Sequence, residues 1–171
     1  MKVFVPLLLA ICIVSSAAFA ADIKMGYIEM QRALNSSEAG KEAKEQLAAR
    51  LKNYQDQINV KQDELKRLKD DLEKQGMLLS DSARANKEKD YQQKLKEFQR
   101  FTKDAQDELQ QRDEEFTRKI LEGMEKVIQD YGRKNGYTFI FVKNESMLFM
   151  DEKADLTNEV LKLFNASRSK K

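Results

Sequence analysis

Of the side chains that carry chemistry at neutral pH, this chain offers carboxylates, amines and guanidinia and almost nothing else. It has 29 Asp and Glu, 31 Lys and Arg, a single Cys at Cys12 and no His. Without imidazole there is no His-assisted Ser or Cys nucleophile and no zinc site of the Cys/His type. Carboxylate-pair hydrolysis survives on composition, but it needs a cleft that holds two carboxyl groups at a set separation. Here acids and bases alternate along helical faces, and no such pair stands out. No Gly-rich phosphate loop is present, which argues against nucleotide-coupled action. The chain is therefore expected to be no enzyme, with no catalytic residue, no cofactor and no metal. Its net charge of +2 is far from the basic excess of a nucleic-acid binder, so nucleic acid is not an expected partner.

Residues 1–20 read as a secretory signal peptide. Lys2 gives a positive start, an apolar run follows, and Ala18-Phe19-Ala20 supplies the small-x-small ending, with cleavage after Ala20. The run falls short of the roughly 20 apolar residues that cross a bilayer. Cys12 and Pro6 both lie within it, and Ile11 stands where a lipoprotein signal needs a small residue. Once the signal is removed, neither cysteine nor proline remains.

The elements that must position any function are long helices. Residues 38–133 predict two helices folded back on each other around a break at 76–82. In the first, Leu47, Leu51, Tyr54, Ile58, Leu65, Leu68, Leu72 and Leu79 fall on alternating steps of three and four, with Lys61 and Gln75 as polar members. The second repeats the pattern with Tyr91, Leu95, Phe98, Ala105, Leu109, Phe116 and Ile120, with Thr102 and Arg112 as polar members. Its stripe continues through Met124, Val127 and Tyr131. Gly76 suits a helix stop and Ser80 a cap for the return helix. Bulky aromatics and charged residues in the seam predict a loose pair. At the break, Met77, Leu78 and Leu79 cannot all face one seam, because helical neighbours point about 100° apart. They form either an exposed apolar tip that contacts a bound chain or a cap that packs on itself.

Residues 21–37 and 134–171 form the expected base. A strand is predicted over 23–30, a second over 137–142, a turn over 143–146 and a returning strand over 147–150. A final amphipathic helix starts near Asp155 or Thr157 and lays down Leu156, Val160, Leu161 and Phe164. Tyr137, Phe139, Ile140, Phe141 and Val142 are apolar on both faces, yet a base of about fifty residues struggles to bury an adequate core alone. Several copies are therefore expected to share one base, their arms extending on the same side around a cavity. The fold class is mostly α with a small β base, a long antiparallel helical hairpin being inserted between strands of an oligomerisation body.

Particular residues also carry a resemblance. The opening from Ile23 through Gly26-Tyr27-Ile28 to Lys41, the Leu79-Ser80-Asp81-Ser82-Ala83 start of the return helix, and the closing stretches 135–142, 148–151 and 154–162 are similar to the Skp (OmpH) family of periplasmic chaperones. The likeness covers the whole mature chain in order, and its two ends are more specific than its helices. It implies a periplasmic homotrimer with a β-rich body and helical tentacles, which holds unfolded outer-membrane proteins in a cavity without ATP.

Two further expectations concern the arm. Arg84, Lys87, Lys89, Lys94, Lys96 and Arg100 outnumber the nearby acids, and could attract acidic clients or anionic lipid headgroups with a strength that salt screens. An ordinary solvated face is the alternative. Some members of the family are said to bind lipopolysaccharide, and no position here is matched to that site. A second reading of the whole chain is a structural spacer or tether in the cell envelope, which would need tight, continuous seams where a holding protein needs open ones.

Overall fold

The structure, a computed structural model, describes residues 23–75 and 79–168. The expected signal peptide, and Gly76, Met77 and Leu78 of the expected tip, lie outside them. In chain order the elements are β1 (Met25–Ile28), α1 (Met30–Ser36), α2 (Glu38–Gln75), α3 (Asp81–Lys134), β2 (Phe139–Val142), a 3-10 turn (Glu152–Ala154) and α4 (Thr157–Arg168).

α2 has 38 residues and α3 has 54, which at about 1.5 Å each makes rods of about 57 and 81 Å. They run antiparallel: Arg50 meets Glu108, Tyr54 meets Phe101, and Glu64 meets Lys94, so partners descend on one helix as they rise on the other. Local sequence sets their ends. Ser37 begins α2, its Oγ accepting from the Gly40 amide at 2.9 Å and donating to Leu34 O at 2.9 Å. A Cβ on Gly40 would lie 2.0 Å from that same carbonyl, so the corner between α1 and α2 admits only glycine. Ser80 caps α3 as predicted, accepting from Ala83 N at 3.4 Å. At the far end Gly136 adopts φ 67° and Tyr137 N donates to Gly132 O at 3.0 Å, a Schellman-type stop.

β1 and β2 pair in parallel, with Met25 opposite Phe139 and Ile28 opposite Val142. Parallel neighbours need a long crossover, and here the whole arm is that crossover. The core sits beneath it, where Ile28, Ala33, Ala39, Ala43, Ile120, Met124, Leu156, Val160 and Phe164 pack together. Thus α1, α4 and the proximal ends of α2 and α3 close over β1.

Four sequence expectations are corrected. The first strand covers Met25–Ile28 rather than 23–30, and Met30 opens α1. The second begins at Phe139, Tyr137 preceding it. Residues 147–150 form no strand: Leu148 is 96% and Phe149 88% exposed, and within the described chain nothing offers them a ladder to join. Leu51 is 57% exposed and stands outside the seam, where Tyr54 and the Arg50 to Glu108 ion pair fill the interface instead.

Candidate binding surfaces of the arm and base

Along the arm the heptad positions meet, but they are not sealed. Between Ala43 and Ile120, Ala105 is the only buried side chain among the described residues; Tyr54, Ile58, Leu65, Leu68, Tyr91, Leu95, Phe98 and Leu109 are half-buried. Two helices can cover only one side of each other, and a third surface would be needed to bury the rest. Val60, 68% exposed, adds apolar area on the outside of α2.

At mid-arm the seam turns polar. Glu108 accepts hydrogen bonds from the Tyr54 hydroxyl and from Arg50 at 2.9 Å, with Arg112 3.8 Å away. The bond to Glu108, together with burial, holds the Tyr54 hydroxyl above the usual phenol range. About two turns further out on α3, Phe101 meets Tyr54 edge-on at 5.9 Å, and Lys61 Nζ stands 5.1 Å from the Phe101 centroid. Phe101 borders an open groove with Lys61, Lys96, Glu97, Arg100 and Asp104. Phe101, Glu108 and Arg50 were not singled out in the sequence. The signal was there, since Phe101 adjoins Thr102 in the heptad register, but a seam position can be filled from either of two adjacent residues.

The six basic residues of the return helix do not share one surface. Lys89, Lys96 and Arg100 are exposed and at about 100° per residue fall within one narrow sector of α3. Lys87 and Lys94 are half-buried toward the seam. Lys94 pairs with Glu64 of α2 at 3.0 Å, and that hydrogen bond and charge hold its amine above the usual range. Arg84 pairs with Glu88 at 2.9 Å and Arg100 with Asp104 at 3.6 Å, while Lys89 and Lys96 have no ion pair among the described residues. Of the expected tip, Leu79 is half-buried; Met77 and Leu78 lie outside the described residues.

On the base, β2 turns its apolar residues outward. Phe139 is 52%, Phe141 40% and Val142 49% exposed, with the two rings stacked at 5.9 Å, while Tyr137 and Ile140 are half-buried. Leu148 and Phe149 follow and are likewise exposed in the single chain.

Behind this surface a charged network ties the base together. Arg32 bonds Glu29 at 2.8 Å and also meets Asp155; Lys143 reaches Glu29 from the end of β2; and Glu29 N donates to the buried Thr157 hydroxyl at 3.0 Å. The hydrogen bond from Lys143 holds the Glu29 carboxyl below its ordinary value. Burial pushes the Asp155 carboxyl up, but hydrogen bonds from the Thr157 hydroxyl and amide and the charge of Arg32 outweigh it, and the net shift is downward. Among the described residues no group of three or more metal-ligating side chains occurs, and no helix is long and apolar enough to cross a membrane.

A long helical hairpin with an unsealed seam, inserted between two strands of a small base, is the architecture of an arm-bearing protein rather than a compact globule. The chain belongs to the outer membrane protein (OmpH-like) family, which it matches over residues 24–164. It is 30% identical over 146 residues to an uncharacterized protein of Aquifex aeolicus (strain VF5), covering 85% of this chain and 88% of that one. Its fold is also similar to the crystal structure of a proposed outer membrane chaperone (OmpH-like) from Caulobacter crescentus CB15. There the TM-score is 0.77 and the identity 16%, with 84% of each chain covered.

Proposed function

We propose that this protein is an ATP-independent holdase of the periplasm that keeps unfolded outer-membrane proteins soluble between helical arms. The observation that carries this reading is the unsealed seam: between Ala43 and Ile120 only Ala105 is buried among the described residues. A spacer gains stiffness by closing its seams, whereas a holding protein uses half-covered apolar surface. Many weak contacts on several arms then add through effective concentration, and each stays reversible because ordering costs offset it. Membership of the OmpH-like family supports the same reading.

The arms are held together by a homotrimeric base in which Tyr137, Phe139, Ile140, Phe141 and Val142 of each copy are covered by its neighbours. The outward apolar face of β2 supports shared burial, and the number three follows the resemblance to the Skp family. Phe139→Asp with Phe141→Asp places charge in that contact, and light scattering should then report monomers. An intact oligomer would overturn the base assignment. Met77, Leu78 and Leu79 are proposed as client contacts at the tip. Lys89, Lys96 and Arg100, with Arg84, Lys87 and Lys94 beside them, are proposed as the electrostatic contact for acidic client segments or anionic lipid. The signal peptide, cleaved after Ala20, delivers the chain to the periplasm.

The test is dilution of a urea-unfolded β-barrel outer-membrane protein into the purified protein without nucleotide. Suppressed aggregation at about one client per oligomer is expected, in line with avidity among several arms. Continued aggregation at every salt concentration, from a well-folded oligomer, would overturn the holdase and favour the spacer.

A further inference from the structure

We propose, resting on the shared base already proposed, that the distal arms of neighbouring copies dock edge to edge, the basic outer face of α3 in one copy lying on the acidic outer face of α2 in the next, and so close the cavity when no client fills it. At about 100° per residue, Lys89, Lys96, Arg100 and Lys103 fall on the side of α3 turned away from the seam, and all four are exposed. Gln92, Gln93 and Gln99 lie among them, and no acid from 82 to 103 shares that sector. On α2 the outward side is acidic. An open groove there is lined by Val60, Asp63, Glu64, Arg67, Leu68 and Asp71, and Asp56 stands a turn nearer the base. Glu64 is held by Lys94, Asp56 by Lys52 and Arg100 by Asp104, but Asp63, Asp71, Lys89 and Lys96 make no ion pair among the described residues.

The two faces also match in height. Arg50 meets Glu108 and Glu64 meets Lys94, which fixes the residues that stand level on the two helices. By that register Asp63 is level with Leu95 and Asp71 with Lys87, so that they lie within about 3 Å, along the axis, of Lys96 and Lys89. Asp56 is level with Thr102, between Arg100 and Lys103. Copies that share a base carry their arms side by side in one direction, so bases of one arm meet acids of the next at equal height. Because unlike faces meet, the contact repeats around a rotation axis and closes a ring. Each pair is exposed and weak alone, which keeps the closure reversible. An acidic client segment competes for the same Lys89 and Lys96, so client entry exchanges one set of charge pairs for another.

The experiment co-refolds isotope-labelled and unlabelled mature protein, checks the oligomer by light scattering, and joins ammonium to carboxylate with a zero-length carbodiimide. Peptide mapping by mass then separates links between copies, which join a labelled peptide to an unlabelled one, from links within a chain such as Lys94 to Glu64. Mixed-label links of Lys96 to Asp63 and of Lys89 to Asp71 are expected at low salt. They should fall severalfold at about 1 M salt, where the screening length is about 3 Å, and again when a urea-unfolded outer-membrane protein is added. Lys89→Glu with Lys96→Glu should splay the arms and raise the radius of gyration by small-angle scattering; adding Asp63→Lys with Asp71→Lys should restore both the radius and the mixed-label links. Same-label links alone, from an intact oligomer, would overturn the docking on the unaltered chain and leave the holdase to its own aggregation test. Mixed-label links unchanged by client would overturn the competition, and a monomer by light scattering would overturn both the docking and the shared base.

Discussion

The base and the arm are built on opposite terms. In the base Met124 and Val160 are fully buried, and the buried hydroxyls of Ser37 and Thr157 are both satisfied by named partners. In the arm the same residue types stand half in solvent, and hydrogen bonds and ion pairs such as Tyr54 and Arg50 to Glu108 and Lys94 to Glu64 replace a core. The difference teaches where stability and adaptability reside. Burial of apolar area is cooperative and worth about 1.5–3 kcal/mol for a large side chain, whereas an exposed ion pair is worth about 0–1. A protein that must hold its arms in place and let them adjust needs the first below and the second above.

The largest test of that contrast removes one ring from each region. Phe164→Ala in the core should cost about 3–5 kcal/mol in urea unfolding. Phe101→Ala, half-buried at mid-arm, should cost about 1 kcal/mol or less, because its area is only partly removed from water. Equal losses would mean that the arm has a core of its own. Gly40→Ala, which drives a methyl into the Leu34 carbonyl, should cost about 1–3 kcal/mol through strain at the α1–α2 corner, without altering the arm's helicity by circular dichroism.

Acid should weaken the base. Glu29 and Asp155 have folded pKa values lowered below their ordinary ones. Each contributes stability that is present above the unfolded carboxylate range, around pH 4, and is lost as pH falls through the lower folded value. Asp155→Asn should flatten that part of the stability profile against pH; an unchanged profile would show that the network does not report on folding. Smallest of all, Glu108→Gln should lower the free energy of unfolding in urea by under about 1 kcal/mol. Its clear readout is faster amide exchange around 50–58 and 101–112, with the base unaffected.

The arm was largely legible because its pattern is local. Heptad spacing and the Ser80 cap act within a turn or two, and α2 and α3 run where periodicity placed them. Leu51 was misplaced for the same reason: spacing alone does not say whether Leu51 or Tyr54 faces the partner, and the decision rests on Glu108, far along the chain. The base was harder to read. Gly26, Tyr27 and Ile28 look like any short apolar strand, and their pairing with β2 depends on contacts more than 100 residues away. Residues 147–150 carry strand-forming side chains, yet a strand also needs a neighbour's hydrogen bonds, which no local signal supplies.

By itself the sequence determined the kind of chemistry available, the helical hairpin and its caps, and the charged surface, since residue type and short-range periodicity govern these directly. Tertiary structure alone decided which side of the seam stays open, that Glu108 draws Tyr54 and Arg50 together, and that Lys24 reaches Asn135 across the junction. Those outcomes depend on distances between residues far apart in the chain, and such distances exist only once the helices have folded back and the base has closed.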